Sequence, residues 1–230
     1  MSLRKKIALC FYFILINLTC FDDTNTTPFL TLLKTTVPYD FENEKIKLNA
    51  FILISSIIMV FVVLSVERIS NQFYLGKYVF IRSSKMSVMW YYFKDIIKYM
   101  GKIMLLKVFS DAIFFQINGI QNISVLLKIL LSYIVTLIMW IFLIYCLFLC
   151  HYRTEIISFV MITVMIVSQY YSQKEFVFSL LSIGSPFLFS DFELIIGLKL
   201  LLLAFLLSMQ ILLFKKYEDL DYKNQTRKRF

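Results

Sequence analysis

Residues 48–66, LNAFILISSIIMVFVVLSV, form an apolar run that contains no charged side chain. At a rise of 1.5 Å per residue, about 20 helical residues cross the roughly 30 Å hydrocarbon core of a bilayer. The whole chain is 60% hydrophobic and 17% charged, with a mean hydropathy of +0.76, whereas a soluble domain is about 45–50% apolar. We therefore predict an all-α, polytopic membrane protein with a single transmembrane domain over residues 1–230.

Six segments are predicted to cross the membrane: residues 5–21, 48–66, 99–117, 123–150, 156–171 and 194–214. The segments on one side of these spans hold 16 of the 24 Lys and Arg residues, and those on the other side hold four. Because cytoplasmic segments carry the excess of Lys and Arg, both termini are predicted to be cytoplasmic. The first run also suits a cleaved signal peptide, but it lacks a small-x-small cleavage site, which favours an uncleaved helix.

The segment between the second and third spans, residues 67–98, is too charged to cross a bilayer and too aromatic to be a free linker. It contains six basic, two acidic and eight aromatic side chains, a mixture typical of a membrane–water interface. We predict a break at residues 75–77 and an amphipathic helix over residues 86–98 that lies along the cytoplasmic membrane surface. Its apolar stripe would consist of Met86, Met89, Trp90, Phe93, Ile96 and Ile97.

The third predicted span is unusually polar. Lys107 and Asp111 lie four residues apart within it, so they share a helix face and can pair. A charge at the bilayer centre costs about 2.5–3.5 kcal/mol on the insertion scale. One interpretation is an intramembrane polar pair that lines a transport path or a subunit interface. The other is a local pair near the helix end that only tolerates its depth.

Residues 172–193 carry one lysine and three acidic side chains and are predicted to lie outside. The interior of this segment is apolar and is broken at Gly184-Ser185-Pro186. Such a pattern favours a re-entrant or interfacial hairpin over a free loop, because non-helical backbone at membrane depth must be covered by protein. The sequence alone does not decide whether the hairpin enters the membrane.

Several kinds of chemistry are not indicated. The four cysteines lie in or beside apolar runs without a CxxC spacing, which predicts neither disulfides nor a zinc site. The sequence contains no nucleotide-binding glycine loop, no HExxH and no GxSxG motif, so no cofactor is predicted. The net charge of +9 is spread over membrane-flanking segments, which favours anionic lipid over nucleic acid as a partner.

The six-span organisation and a short run in the charged segment together resemble a known family. The run consists of Gly76-Lys77, Ile81-Arg82-Ser83-Ser84-Lys85, Trp90 and Lys94. It resembles the small ABC-2 type transporter permeases of Gram-positive bacteria that accompany bacteriocin, lantibiotic-immunity or peptide-export systems. Such permeases often carry a basic, serine-containing stretch followed by Trp before the third span. The hairpin at residues 176–189 is similar to the re-entrant element of this fold.

The resemblance implies a permease subunit of an ATP-binding-cassette transporter in the bacterial cytoplasmic membrane. It would dimerise with a second copy or a sister permease, bind a cytosolic ATPase subunit and export a hydrophobic or amphipathic peptide. ATP hydrolysis would occur on the partner chain, so this chain is not predicted to be an enzyme. The segment at 67–98 would contain the coupling helix, and the ATPase-coupling surface would comprise Glu67, Arg68, Arg82, Lys85, Trp90 and Lys94.

Two other functions stay open on the sequence. A standalone membrane immunity or sensor protein would bind a peptide without an ATPase. The charged segment would then be a lipid-anchored basic loop. The third function is a membrane enzyme that works at Lys107 and Asp111, in which Asp111→Asn would abolish turnover of a lipid substrate.

Overall fold

The structure is a computed structural model that describes residues 3–19, 39–40, 45–46, 48–79, 85–115, 123–150, 153–185 and 187–227. The six long helices are α1 (Leu3–Thr19), α2 (Leu48–Val79), α3 (Lys85–Phe115), α4 (Ile123–Leu149), α5 (Thr154–Tyr171) and α6 (Phe192–Arg227). Between α5 and α6 lie a 3-10 helix, Phe176–Leu180, and a one-turn helix, Phe187–Ser190. Two antiparallel two-residue strands, Tyr39–Asp40 and Lys45–Ile46, precede α2. Apart from that short pair, the described chain is all-helical, as predicted.

The long helices alternate in direction, so their ends meet at two opposite sides of the bundle. At one side Lys5, near the start of α1, pairs with Glu67 in the second half of α2. At the other side Asn17, near the end of α1, donates a hydrogen bond to Ser110, near the end of α3. We call the first side the charged end. We call the second the hairpin end, because residues 172–191 connect α5 to α6 there.

Among the residues that the structure describes, four helices are long and apolar enough to cross a membrane. Their candidate spans are Phe51–Gln72, Leu130–Leu149, Thr154–Tyr171 and Phe192–Leu213. They coincide with the second, fourth, fifth and sixth predicted spans, which confirms a membrane protein. Helix α1 has only 17 residues, and every 18-residue stretch of α3 holds at least four charged side chains. A crossing by α1 or α3, and the cytoplasmic placement of both termini, therefore stay predictions.

The bundle core is built from large apolar side chains rather than from glycine contacts. Phe61, Met139 and Phe142 are among the side chains buried at its centre. A Cβ atom added at Gly101 or Gly197 would meet nothing within 4 Å, so neither glycine marks a close helix approach. Because lipid tails are as apolar as this core, helices in a membrane associate through van der Waals packing and interhelical hydrogen bonds. The polar contacts between helices are therefore informative.

Broad apolar faces of α5 and α6 remain uncovered. Phe159 on α5 and Leu201 and Phe205 on α6 are each more than half exposed. Soluble proteins rarely expose a broad apolar surface, and such a surface marks contact with a membrane or with another protein. On helices with the length of a membrane span, lipid contact is the simplest account.

The charged segment differs from its prediction in two respects. Helix α2 continues through residues 75–77 to Val79, so the predicted break is wrong. Residues 86–98 are not a separate helix either, because α3 runs without interruption from Lys85 to Phe115. Of the predicted apolar stripe, Ile96 is buried, and Trp90 and Ile97 are exposed. Both faces of this segment carry apolar side chains, so its periodicity did not reveal which face the bundle covers.

Candidate functional site

A non-helical stretch of backbone, residues 181–185, is packed into the hairpin end of the bundle. Residues 182–185 are buried, although this backbone belongs to neither a helix nor a strand. Three of its successive carbonyl oxygens accept hydrogen bonds from side chains of α4. Trp140 Nε1 donates to the Leu181 oxygen at 3.0 Å, Thr136 Oγ1 to the Ser182 oxygen at 3.3 Å, and Ser132 Oγ to the Ile183 oxygen at 3.3 Å.

Helix α5 holds the same stretch from the other side. Gln169 Nε2 donates to the Gly184 oxygen at 2.7 Å, and Gln169 Oε1 accepts from the Ile183 N–H at 3.1 Å. Ser185 Oγ donates to the Ser172 oxygen at 2.8 Å. Irregular backbone is tolerated at membrane depth only where protein satisfies its polar groups. Here four consecutive carbonyls, from Leu181 to Gly184, each have a side-chain donor.

Lys199 of α6 lies at the centre of this polar core. We call Lys199 and its three partners, Ser132, Thr136 and Ser182, the lysine latch. Lys199 is completely buried (0% exposed). Its Nζ donates to Thr136 Oγ1 at 2.8 Å, to the Ser182 oxygen at 2.9 Å and to Ser132 Oγ at 3.2 Å. Three donated hydrogen bonds are the full capacity of an ammonium group. Within the described part of the chain, no carboxylate forms a salt bridge with Lys199.

The position of Lys199 gives the depth of the hairpin within the bundle. Lys199 is seven residues after Phe192, where α6 begins, which places it about 10 Å along the helix axis. Because Lys199 Nζ contacts the Ser182 oxygen and residues 182–185 are buried, the stretch at 181–185 lies inside the bundle and not on its end. The predicted hairpin is therefore present and enters the bundle.

A second polar cluster joins four helices at the charged end, and we call it the charged clamp. Lys5 Nζ of α1 contacts Glu67 of α2 at 2.9 Å. Arg68 of α2 donates from Nε to Asp95 Oδ2 of α3 at 2.9 Å, with a second bond from Nη2 to the same oxygen. The Arg68 guanidinium also lies 5.5 Å from the ring centroid of Tyr99, within range of a cation–π contact.

A glutamine extends the charged clamp to α4. Gln72 Nε2 donates to Asp95 Oδ2 at 2.7 Å and to the Tyr92 carbonyl oxygen at 3.2 Å. The Tyr145 hydroxyl of α4 donates to Gln72 Oε1. Gln72 and Tyr145 are both buried. The ends of α1, α2, α3 and α4 are thus joined by side-chain contacts that local sequence patterns do not indicate.

The residues predicted to contact an ATPase have different surroundings. Glu67 and Arg68 form ion pairs within the chain. Trp90 and Lys94 are exposed on α3. Arg82 lies outside the described residues, and so does the side chain of Lys85. The structure thus leaves the predicted coupling surface untested, but it gives Glu67 and Arg68 internal roles.

Of the predicted intramembrane pair, only the side chain of Lys107 is described, and it lies near the α1–α3 contact. Lys107 is 5% exposed, on the buried face of α3. Its backbone oxygen accepts a hydrogen bond from Ser110 Oγ, which in turn accepts one from Asn17 of α1. The side chain of Asp111 lies outside the described residues, so the pairing stays a prediction. Lys107 is thus buried within the chain, and both interpretations of the pair stay predictions.

An apolar pocket opens between α3, α4 and α6 near the charged clamp. Its wall consists of Met89, Trp90, Tyr92, Phe93, Phe142, Tyr145, Leu149, Leu207, Gln210 and Ile211. Phe93 and Phe142 pack with their ring centroids 4.5 Å apart at its base. The pocket has a volume of about 20 Å³, which has room for little more than one small group, and its wall offers few polar groups to orient a polar ligand.

Neither a family model, nor a curated protein, nor a solved structure matches the chain. Its function must therefore be argued from its own geometry. Among the residues that the structure describes, no group of three or more His, Cys, Asp or Glu side chains is placed to hold a metal ion. The described cysteines Cys10, Cys146 and Cys150 are free thiols.

Proposed function

We propose that the chain is the membrane-spanning permease subunit of an ABC-2 type transporter in a bacterial cytoplasmic membrane. A separate cytosolic ATPase subunit would supply energy, and a second permease copy or sister permease would complete the translocation unit. The cargo would be a hydrophobic or amphipathic peptide, such as a toxin or bacteriocin. In this proposal all six long helices cross the membrane, and the charged end faces the cytoplasm.

The order of the helices and the hairpin carries the proposal. Six long helices alternate in direction, α2 ends and α3 begins at the charged end, and the segment that follows α5 enters the bundle before α6 begins. This order is what the resemblance to ABC-2 permeases implies. The sequence contains no nucleotide-binding loop, so the energy source is assigned to a partner chain.

The charged clamp supports a mechanical role for the charged end. A force applied between α2 and α3 reaches Arg68 and Asp95, and through Gln72 and Tyr145 it reaches α4. Rigid-body displacement of packed helices is a common way to transmit such a force. Because Glu67 and Arg68 have internal partners, we assign the ATPase contact to Arg82 and Lys85 rather than to them.

The apolar pocket supports the class of cargo. It lies beside the charged clamp, and its wall is almost entirely aromatic and aliphatic. An apolar peptide side chain entering from the charged end would find a complementary surface there. A polar or highly charged cargo would gain little from this wall.

Changing Arg82 and Lys85 to glutamate is expected to abolish binding of the ATPase. The tagged full-length protein, cross-linked in membranes of its own host, should bring down a cytosolic ATPase, and the double variant should not. Reversing two positive charges opposes complementary acidic groups on a partner. The matched control is Arg153→Glu, which changes an exposed basic residue between α4 and α5 and should keep the ATPase bound.

Absence of an ATPase from the wild-type sample, despite cross-linking, would contradict the proposal. The chain would then be better described as a standalone immunity or sensor protein. That alternative requires function to be insensitive to Arg82 and Lys85. Peptide resistance of cells that express each variant measures this directly.

A further inference from the structure

Three lysines follow one another along the exposed face of α3. Lys94, Lys98 and Lys102 are all exposed, and successive members are four residues, or about 6 Å, apart along the helix axis. We call them the lysine stripe. Leu105 and Phe109 continue the same face toward the hairpin end, and they are 69% and 61% exposed.

The lysine stripe has no negative partner of its own within the described part of the chain. Asp95 borders the stripe on α3, but its carboxylate already accepts hydrogen bonds from Arg68 and Gln72 of α2. No salt bridge involves any of the three lysines among the described residues. Exposed lysines beside an apolar helix face are attracted to the anionic surface of a membrane.

The order of charged and apolar side chains along this face of α3 matches an anion that carries an apolar tail. From the charged end inward, the face carries Trp90, then the three lysines, then Leu105 and Phe109. A phospholipid has the same order of groups, with an anionic phosphate at the interface and acyl chains that run inward. Aromatic rings such as Trp90 are enriched at headgroup level. Lys102, the innermost lysine, can extend its side chain back toward the headgroup.

We propose that the lysine stripe binds the phosphate headgroup of an anionic phospholipid, whose acyl chain lies along Leu105 and Phe109. A second copy of the chain is a poorer occupant. In a two-fold interface the stripe would face its own copy, and the like charges would repel. A cytosolic protein is also a poorer occupant, because Lys102 lies within the third predicted span.

The test measures contact between a reporter tryptophan and brominated acyl chains. The reporter is Leu105→Trp in a Trp90→Phe background. The remaining tryptophan, Trp140, is 2% exposed and thus shielded from lipid. The full-length protein is reconstituted in phosphatidylcholine vesicles that contain either brominated phosphatidylglycerol or brominated phosphatidylcholine. Quenching as a function of lipid fraction gives the anionic-over-zwitterionic binding ratio.

We expect this ratio to be well above ten and to fall roughly tenfold or more in Lys94→Gln/Lys98→Gln, since each lysine near an anionic surface contributes a factor of about five. Lys94→Arg/Lys98→Arg keeps both charges and should keep the ratio, which shows that the site folds with altered side chains. Lys6→Gln/Arg153→Gln removes two exposed charges at the same end and should also keep it.

Three results would overturn the proposal. The first is a ratio of one for the reporter protein. The second is an equal loss in the Lys6→Gln/Arg153→Gln control, which would mean general surface charge. The third is relief of quenching by inorganic phosphate at matched ionic strength, which would assign the stripe to free phosphate. None of these outcomes depends on whether an ATPase partner exists.

Discussion

Replacing Ser132 with alanine and Thr136 with valine is expected to lower the free energy of unfolding by about 3–5 kcal/mol, because the double change leaves the buried Lys199 ammonium with one of its three acceptors. The lost atoms are small, and Thr136→Val preserves side-chain shape. The loss of stability therefore comes mainly from a buried ammonium group that lacks two of its hydrogen-bond acceptors, and not from a packing cavity. Unfolding of the purified protein in detergent, followed by helical circular dichroism, measures it.

Replacing the lysine instead of its two hydroxyl partners should lower the free energy of unfolding much less. In Lys199→Met the hydroxyls of the lysine latch keep other partners, since the single hydroxyl hydrogen of Thr136 is shared between the Ser132 oxygen at 2.7 Å and the Ser182 oxygen at 3.3 Å, and Ser132 Oγ donates to the Ile183 oxygen. Replacing a buried charge with an apolar side chain of similar size is often close to neutral. We expect a loss of about 1 kcal/mol, the net value of an ordinary hydrogen bond.

The triple variant Ser132→Ala/Thr136→Val/Lys199→Met separates the two explanations. If the charge is responsible, removing it should restore most of the stability that the double variant lost. If the triple variant is as unstable as the double variant, packing at Ser132 and Thr136 explains the loss and the lysine latch is not a charge site. This non-additivity is the expected signature of residues that share one network.

Hydropathy was sufficient to predict most of the helices but not all of their ends. The predicted span at 48–66 begins where α2 begins, but α2 continues to Val79. Glu67 and Arg68 mark where a bilayer core would stop, and a helix can continue beyond that point because its backbone bonds are internal. The spans at 123–150 and 156–171 agree closely with α4 and α5.

The lysine latch could not be predicted from local patterns. Lys199 stands in a leucine-rich run, so it lowers the hydropathy of that window only slightly. Its partners Ser132 and Thr136 are 67 and 63 residues away in the chain. Their spacing of four residues, together with serines at 179, 182 and 185 in an otherwise apolar segment, was the available signal. That signal indicates a polar helix face and a polar hairpin, but only the fold brings them together.

The charged clamp illustrates a different limit. The sequence correctly placed Glu67, Arg68 and Lys94 in one charged segment at the end of a span. It assigned all of them to an outside partner, because pairing between α2 and α3 depends on how the two helices rotate. The structure directs Arg68 toward Asp95 and leaves Lys94 exposed. Basic residues of one segment thus lie in two places, at the contact between α2 and α3 and on the exposed face of α3.

The two ion pairs of the charged clamp are expected to differ in strength. Arg68 and Asp95 are 40% and 27% exposed, and Gln72 also donates to the Asp95 carboxylate. A double-mutant cycle with Arg68→Gln and Asp95→Asn should give a coupling energy of about 1–2 kcal/mol. The same cycle with Lys5→Gln and Glu67→Gln should give about 0.2–1 kcal/mol, because those side chains are 51% and 47% exposed.

The two ion pairs should also respond differently to salt, and the loss of Arg68 should affect peptide export. At 1 M salt the screening length is about 3 Å, so the Lys5–Glu67 coupling should vanish while most of the Arg68–Asp95 coupling persists. If the charged clamp transmits the displacement of α2 and α3, Arg68→Gln should still bind the ATPase in the cross-linking experiment yet lose peptide export. Arg82→Glu/Lys85→Glu should lose both. Equal coupling energies for the two pairs, or export that survives Arg68→Gln, would mean that the contact between α2 and α3 holds the fold together without transmitting force.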